Sequence, residues 1–144
     1  MLWVVSVNSN NCKIYHYQKH QNKLTLLKEI DEPVNRLKNR EIISDRPGRY
    51  NKSVDGTRGS YEPKYEPKDT TIFSFSRKIA KLLNSAKQDR LFDKIIFILD
   101  SHMLGLLKQN LDKNVYDTVH QTILRDLQSF SEKELADYLK EHLD

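Results

Sequence analysis

The stretch Lys94-Ile95-Ile96-Phe97-Ile98-Leu99-Asp100 decides the fold. An apolar run with no polar break cannot alternate between core and solvent, so it reads as a strand buried on both faces, in a sheet covered by helices. It is the expected central strand. Upstream, Ile72, Phe75, Ile79, Leu82, Leu83 and Ala86 recur at helical spacing, which predicts an amphipathic helix over 70–88 with Asp69 as its N-cap. Downstream, 102–110 reads as a short helix, a turn is expected around Asp112–Tyr116, and Thr118–Leu124 reads as a strand. Ser131-Glu132-Lys133-Glu134 is a capping box, in which hydroxyl and carboxylate each satisfy a free backbone N–H. It opens a last helix from about 132 to 142, with Leu135, Tyr138, Leu139 and His142 along one side.

Towards the start of the chain, 2–8 and 12–18 are β-branched and aromatic runs separated by Asn8-Ser9-Asn10-Asn11. Asparagine tolerates the positive φ of tight turns, so the two runs are expected to pair antiparallel. Lys23–Ile30 follows the polar stretch His20-Gln21-Asn22 as a third strand, ended by Pro33. The order is β-β-β, long loop, α, β, α, β, α. An antiparallel meander followed by alternating helices and strands is the chain order of ribonuclease H-like folds, so the expectation is an α/β domain with a mixed sheet of about five strands. A chain of 144 residues makes one such domain, 1–144.

Between meander and helix the pattern fails. Val34, Leu37 and Ile42-Ile43 suit either a helical turn or an extended segment, and 44–69 shows no apolar periodicity. So long a structureless stretch in a compact domain is either functional or disordered, which makes 44–69 the candidate working loop. Charge concentrates nearby. Residues 1–69 carry 13 Lys and Arg against 9 Asp and Glu, whereas 70–144 carry 11 of each, so the net +4 lies wholly in the first part. The segment 33–64 alone holds +4, and all four prolines and three of the four glycines fall between 33 and 67.

Hydrophobic residues at 38% and charged residues at 31% describe a soluble globular protein. No apolar run approaches the roughly 18–20 residues that cross a bilayer. The opening Met1-Leu2-Trp3-Val4-Val5-Ser6-Val7 lacks a basic region and a cleavage site and reads as a first strand. Cys12 is the only cysteine, which excludes an intrachain disulfide and a thiolate cluster. A cytoplasmic location is the expectation.

The loop offers one set of candidate binding residues: Asp45, Arg46, Gly48, Arg49, Tyr50, Lys52, Arg58, Gly59 and Tyr61. Arg46 and Arg49 flank Pro47-Gly48, so a turn there presents two guanidinium groups to phosphates or carboxylates; alternatively Asp45 pairs with them and pins the loop to the domain. Lys52, Arg58, Tyr50 and Tyr61 supply the basic and stacking contacts of RNA recognition. Asp45, Asp55, Glu62, Glu66 and Asp69 offset that charge, so a solvated loop is the rival reading. Tyr61-Glu62-Pro63-Lys64 repeats at once as Tyr65-Glu66-Pro67-Lys68, which biases the segment to an extended arm and is read as a stiff connector into the helix.

Glu41-Ile42-Ile43-Ser44-Asp45-Arg46-Pro47-Gly48-Arg49, with Asp55-Gly56-Thr57-Arg58-Gly59-Ser60-Tyr61-Glu62-Pro63, resembles the host-attachment protein family, whose members are described as required for attachment to host cells. Trp3-Val4-Val5, Lys13-Ile14-Tyr15, Leu104-Gly105-Leu106-Leu107 and Arg125-Asp126-Leu127 extend the resemblance over nearly the whole chain. That family is similar in turn to the middle domain of archaeal and eukaryotic class I release factors, where a long loop carries a Gly-Gly-Gln tip to the peptidyl-tRNA ester. The resemblance implies a ribosome or tRNA partner. This chain has Arg58-Gly59-Ser60 and no Gly-Gly-Gln, and Asn8 stands where the family commonly has an acidic residue.

Catalysis finds little support. Asp100-Ser101-His102 has the letters of a hydrolase triad, but three consecutive residues cannot adopt its geometry, and turn and capping roles are expected instead. His16, His20, His102, His120 and His142 lack ligand spacing, so no metal and no cofactor is expected. A two-metal nuclease needs several carboxylates at the strand ends, and only Asp100 is placed for it. The reading is a non-catalytic ribosome- or tRNA-binding module, with an indirect factor in host-cell attachment, or a hydrolase of a tRNA ester or nucleic acid, as alternatives.

Overall fold

A computed structural model describes residues 1–32 and 67–143. Strands β1 (Leu2–Val7), β2 (Asn11–Gln18) and β3 (Lys23–Asp31) come first, then helix α1 (Pro67–Gln88), β4 (Lys94–Ile98), α2 (Ser101–Lys108), α3 (Lys113–Tyr116), β5 (Val119–Ile123) and α4 (Glu132–His142). The strands form one mixed sheet in the order β3-β2-β1-β4-β5. The meander is antiparallel, with Val4 opposite Tyr15 and Tyr17 opposite Leu24. β1–β4 and β4–β5 are parallel, with Leu2 opposite Lys94 and Ile98 opposite Ile123. This is the α/β mixed sheet of five strands expected from the sequence.

The apolar runs of β1 and β4 are explained by two separate cores. On one face, Trp3, Val5, Val7, Ile95 and Phe97 pack against Ile72, Phe75, Ile79, Leu83 and Ala86 of α1, with Met103 and Leu107 of α2 and Val115 of α3. On the other, Val4, Ile96 and Ile98 pack against Leu135, Ala136 and Leu139 of α4, with Tyr15, Tyr17 and Leu24 closing the margin. The molecule is thus three layers: α1–α3, sheet, α4. Each fully buried Leu, Ile, Val or Phe contributes about 1.5–3 kcal/mol relative to exposure, so both layers are needed to hold β4.

Local chemistry sets the boundaries. Ser131 Oγ accepts from the Glu134 N–H at 3.1 Å while Glu134 Oε1 accepts from the Ser131 N–H at 2.8 Å, which completes the expected capping box. Asn22 has φ 49° and closes the 3-10 turn Lys19–Gln21 between β2 and β3. Its side chain accepts from the Tyr17 hydroxyl at 2.9 Å and donates to Asp137 of α4 at 3.1 Å, tying that turn to the far layer.

Three boundary expectations are corrected. α1 begins at Pro67, so 67–69 belong to the helix rather than to the loop or an extended arm, and Asp69 sits in the first turn instead of at the N-cap. Proline is well suited to a helix start, where its fixed φ fits and its missing N–H has no helical partner to lose. Next, the run 94–100 stops as a strand at Ile98. Asp100 leaves the sheet because its carboxylate accepts from the Met103 N–H at 2.8 Å and caps α2. Last, the turn expected at 112–116 is the single-turn helix α3, on which Val115 reaches the core.

Candidate functional site

Asp45, Arg46, Gly48, Arg49, Tyr50, Lys52, Arg58, Gly59 and Tyr61 lie outside the described residues, as does the undecided stretch 34–43. The frame on either side is described. Glu32, just past β3, donates its N–H to the Asn10 carbonyl at 2.7 Å, and its carboxylate lies 3.7 Å from the Lys78 ammonium on α1.

At the carboxyl ends of β1 and β4, the two positions weighed for metal chemistry are taken up by backbone. Asn8 Oδ1 accepts from the N–H groups of Asn10 and Asn11, at 2.8 and 2.9 Å, and so folds the β1–β2 turn. Asp100 is engaged as the α2 cap, the capping role expected of it. Among the described residues, no three His, Cys, Asp or Glu side chains converge as metal ligands.

Beside this turn lies a polar cluster that the sequence did not announce. Gln128 Nε2 donates to the Ser6 carbonyl at 2.7 Å, joining the loop before α4 to β1 across 122 residues. Asn11 Nδ2 donates to Glu29 at 2.8 Å and more weakly to Asp31 at 3.4 Å, while the buried Asn11 Oδ1 has no hydrogen-bond partner among the described residues. Burial also governs the titratable groups nearby. It pushes the Cys12 thiol up to about 12. Burial, with Glu132 and Glu29 adding smaller effects, likewise raises the Tyr15 hydroxyl to about 12. Tyr17 is raised by burial and by Asp137.

Two surface constellations complete the described part. On α4, the His142 ring stacks on Tyr138 at 3.9 Å and 14°, and the Arg125 guanidinium lies 5.5 Å from the same ring. On α1, Ser74, Arg77, Lys78 and Lys81 are exposed along the helix. They line a groove of about 480 Å³ with Asn84 and Asn110. The one signal in the sequence for this second set was the absence of Asp and Glu between Thr70 and Gln88.

Fold and surface together define an α/β domain with helices on both faces of its sheet and a cationic outer helix. The chain belongs to the family described as "Protein required for attachment to host cells", whose model matches residues 3–139. No curated protein matches it. Among solved structures, it is similar to the archaeal translation termination factor aRF1, with 12% identity and a TM-score of 0.53 over 99% of this chain and 34% of that one. It is also similar to a structure described only as an archaeal protein, with 12% identity and a TM-score of 0.46, covering 97% of this chain and 36% of that one. The chain therefore spans about a third of the length of either structure. At this identity the likeness to aRF1 is one of fold. Among the described residues no helix is long and apolar enough to cross a membrane.

Proposed function

We propose that this host-attachment family member is a non-catalytic, translation-associated factor that engages the ribosome or tRNA, with 44–66, the part of the 44–69 stretch that precedes α1, as its recognition segment. The observation that carries the reading is the pairing of a fold similar to part of aRF1 with a +4 charge held within 33–64. Arg46, Arg49, Arg58 and Lys52 are the phosphate-binding groups in this reading, and Tyr50 and Tyr61 the stacking ones. Asp45, Gly48 and Gly59 complete the candidate set in this reading. Arg58-Gly59-Ser60 in place of Gly-Gly-Gln makes binding, and not ester hydrolysis, the proposed role. The protein is expected to co-sediment with ribosomes at low salt and to be released as salt rises, because phosphate contacts displace counterions. Arg46→Ala/Arg49→Ala should weaken that association. Wild-type protein confined to the supernatant at low salt refutes the reading.

The family description favours a second reading, a factor in attachment to host cells; in this reading it acts indirectly, from the cytoplasm. Deleting its gene then lowers attachment while the protein stays inside intact cells. Detection of the protein on the cell surface would replace this with a direct role. Turnover of peptidyl-tRNA or RNA by wild type, lost in the arginine variants, would instead establish the hydrolase alternative.

A further inference from the structure

The groove on the outer face of α1 extends the RNA reading above, on which this inference rests, to a second surface. From Thr70 to Gln88 the helix carries Arg77, Lys78, Lys81 and Lys87 with no acidic residue. Its apolar side is buried against the sheet, so the cations stand outward. Across the sheet, α4 carries Glu132, Glu134, Asp137 and Glu141 against Lys133 and Lys140. Charge is therefore separated between the two helical layers.

The groove is firmly walled. Asn84 Nδ2 donates to the Asn110 carbonyl at 3.2 Å, and Asn84 Oδ1 accepts from the Asp112 N–H at 2.9 Å, which fastens α1 to the turn after α2. Arg77 lies 5.0 Å over the half-buried Phe73 ring, which steadies its guanidinium. Lys78 is the cation drawn towards Glu32, whereas Arg77 and Lys81 have no carboxylate partner among the described residues. Among the described residues no carboxylate lines the groove. Arg77 and Lys81 are one helical turn apart, a rise of about 6 Å, comparable to the separation of successive phosphates along a strand.

We infer that Ser74, Arg77 and Lys81 form a binding groove for the phosphate backbone of RNA. Arginine takes phosphate in bidentate fashion, lysine adds a point charge, and the Ser74 hydroxyl adds a donor. A lipid surface is disfavoured because a helix that inserts at a membrane needs a free apolar face, and that of α1 is spent on the core.

The test uses the full chain and fluorescein-labelled bulk deacylated tRNA, read by anisotropy over a salt series. Arg77→Glu/Lys81→Glu should weaken binding about tenfold or more and reduce the slope of log K against log salt by about 2, near one unit per lost phosphate contact. Lys133→Glu/Lys140→Glu makes the same change in net charge on the opposite layer and should stay within about twofold of wild type. If the α1 variant melts early by circular dichroism, Arg77→Gln/Lys81→Gln takes its place. Wild type that binds tRNA with the α1 variant unaffected, or with both charge variants equally weakened, overturns the groove and leaves the ribosome or tRNA reading standing. Wild type that neither binds tRNA nor co-sediments with ribosomes overturns both. Preference for anionic vesicles, or self-association abolished by the α1 variant, also overturns the RNA assignment.

Discussion

Cys12, the second residue of β2, has its thiol sealed into the core beneath α1, and burial lifts its pKa to about 12. Only the thiolate is a good nucleophile. A maleimide at neutral pH should therefore leave the native protein unlabelled and modify Cys12 only after urea unfolding; rapid native labelling would show that this core opens. Single residues also mark where sequence reading stopped. Asp100 was legible as a cap, since an Asp between an apolar run and a helix has an obvious backbone donor to satisfy. The Gln128–Ser6 bond was not, because nothing local relates two polar residues 122 positions apart.

At the scale of elements, the helices read best where their ends carry explicit chemistry. α4 was legible at both ends because its capping box and apolar stripe agree. Ser131→Ala should cost about 1 kcal/mol in urea unfolding, and an unchanged midpoint would mean that Glu134 alone suffices. The start of α1 was misplaced by three residues because Asp69 is a plausible cap, while proline at a first helical position competes with its own reading as part of an extended arm. Within α2, Gly105 is exposed, and a Cβ built there meets nothing within 4 Å. Gly105→Ala should accordingly stabilise the protein by about 0.5–1 kcal/mol through the unfolded chain, seen as a raised thermal midpoint. A lowered midpoint would reveal a need for glycine beyond packing.

In the whole molecule, groups buried in their neutral form set the alkaline limit. Cys12 rises from 9.0 and Tyr15 from 10.0, both to about 12, and Tyr17 is raised as well. Above pH 9.0 the unfolded chain gives up protons that the native state keeps, so it binds fewer, and stability falls as pH rises. The native state is at full advantage below that point and loses it progressively towards pH 12. Urea midpoints should decline through this window, and Cys12→Ala should delay the onset to near pH 10.0, where tyrosine takes over. The order of layers was legible, because runs buried on both faces demand helices on both sides. The charge separation was legible only in part: the stretch from Thr70 to Gln88 is free of Asp and Glu in the sequence, but only the fold sets that helix and the net-acidic α4 on opposite faces of the sheet. The pairing of β1 with β4 carries a last consequence, for the order in which the chain is made. β1 finds its first neighbour within a few residues, but Leu2 meets Lys94 only when the second half exists. Until then a largely apolar strand has one edge without a partner, so a nascent chain or truncated fragment ending short of β4 is exposed to aggregation, and the first strand is safe only once β4 has been made.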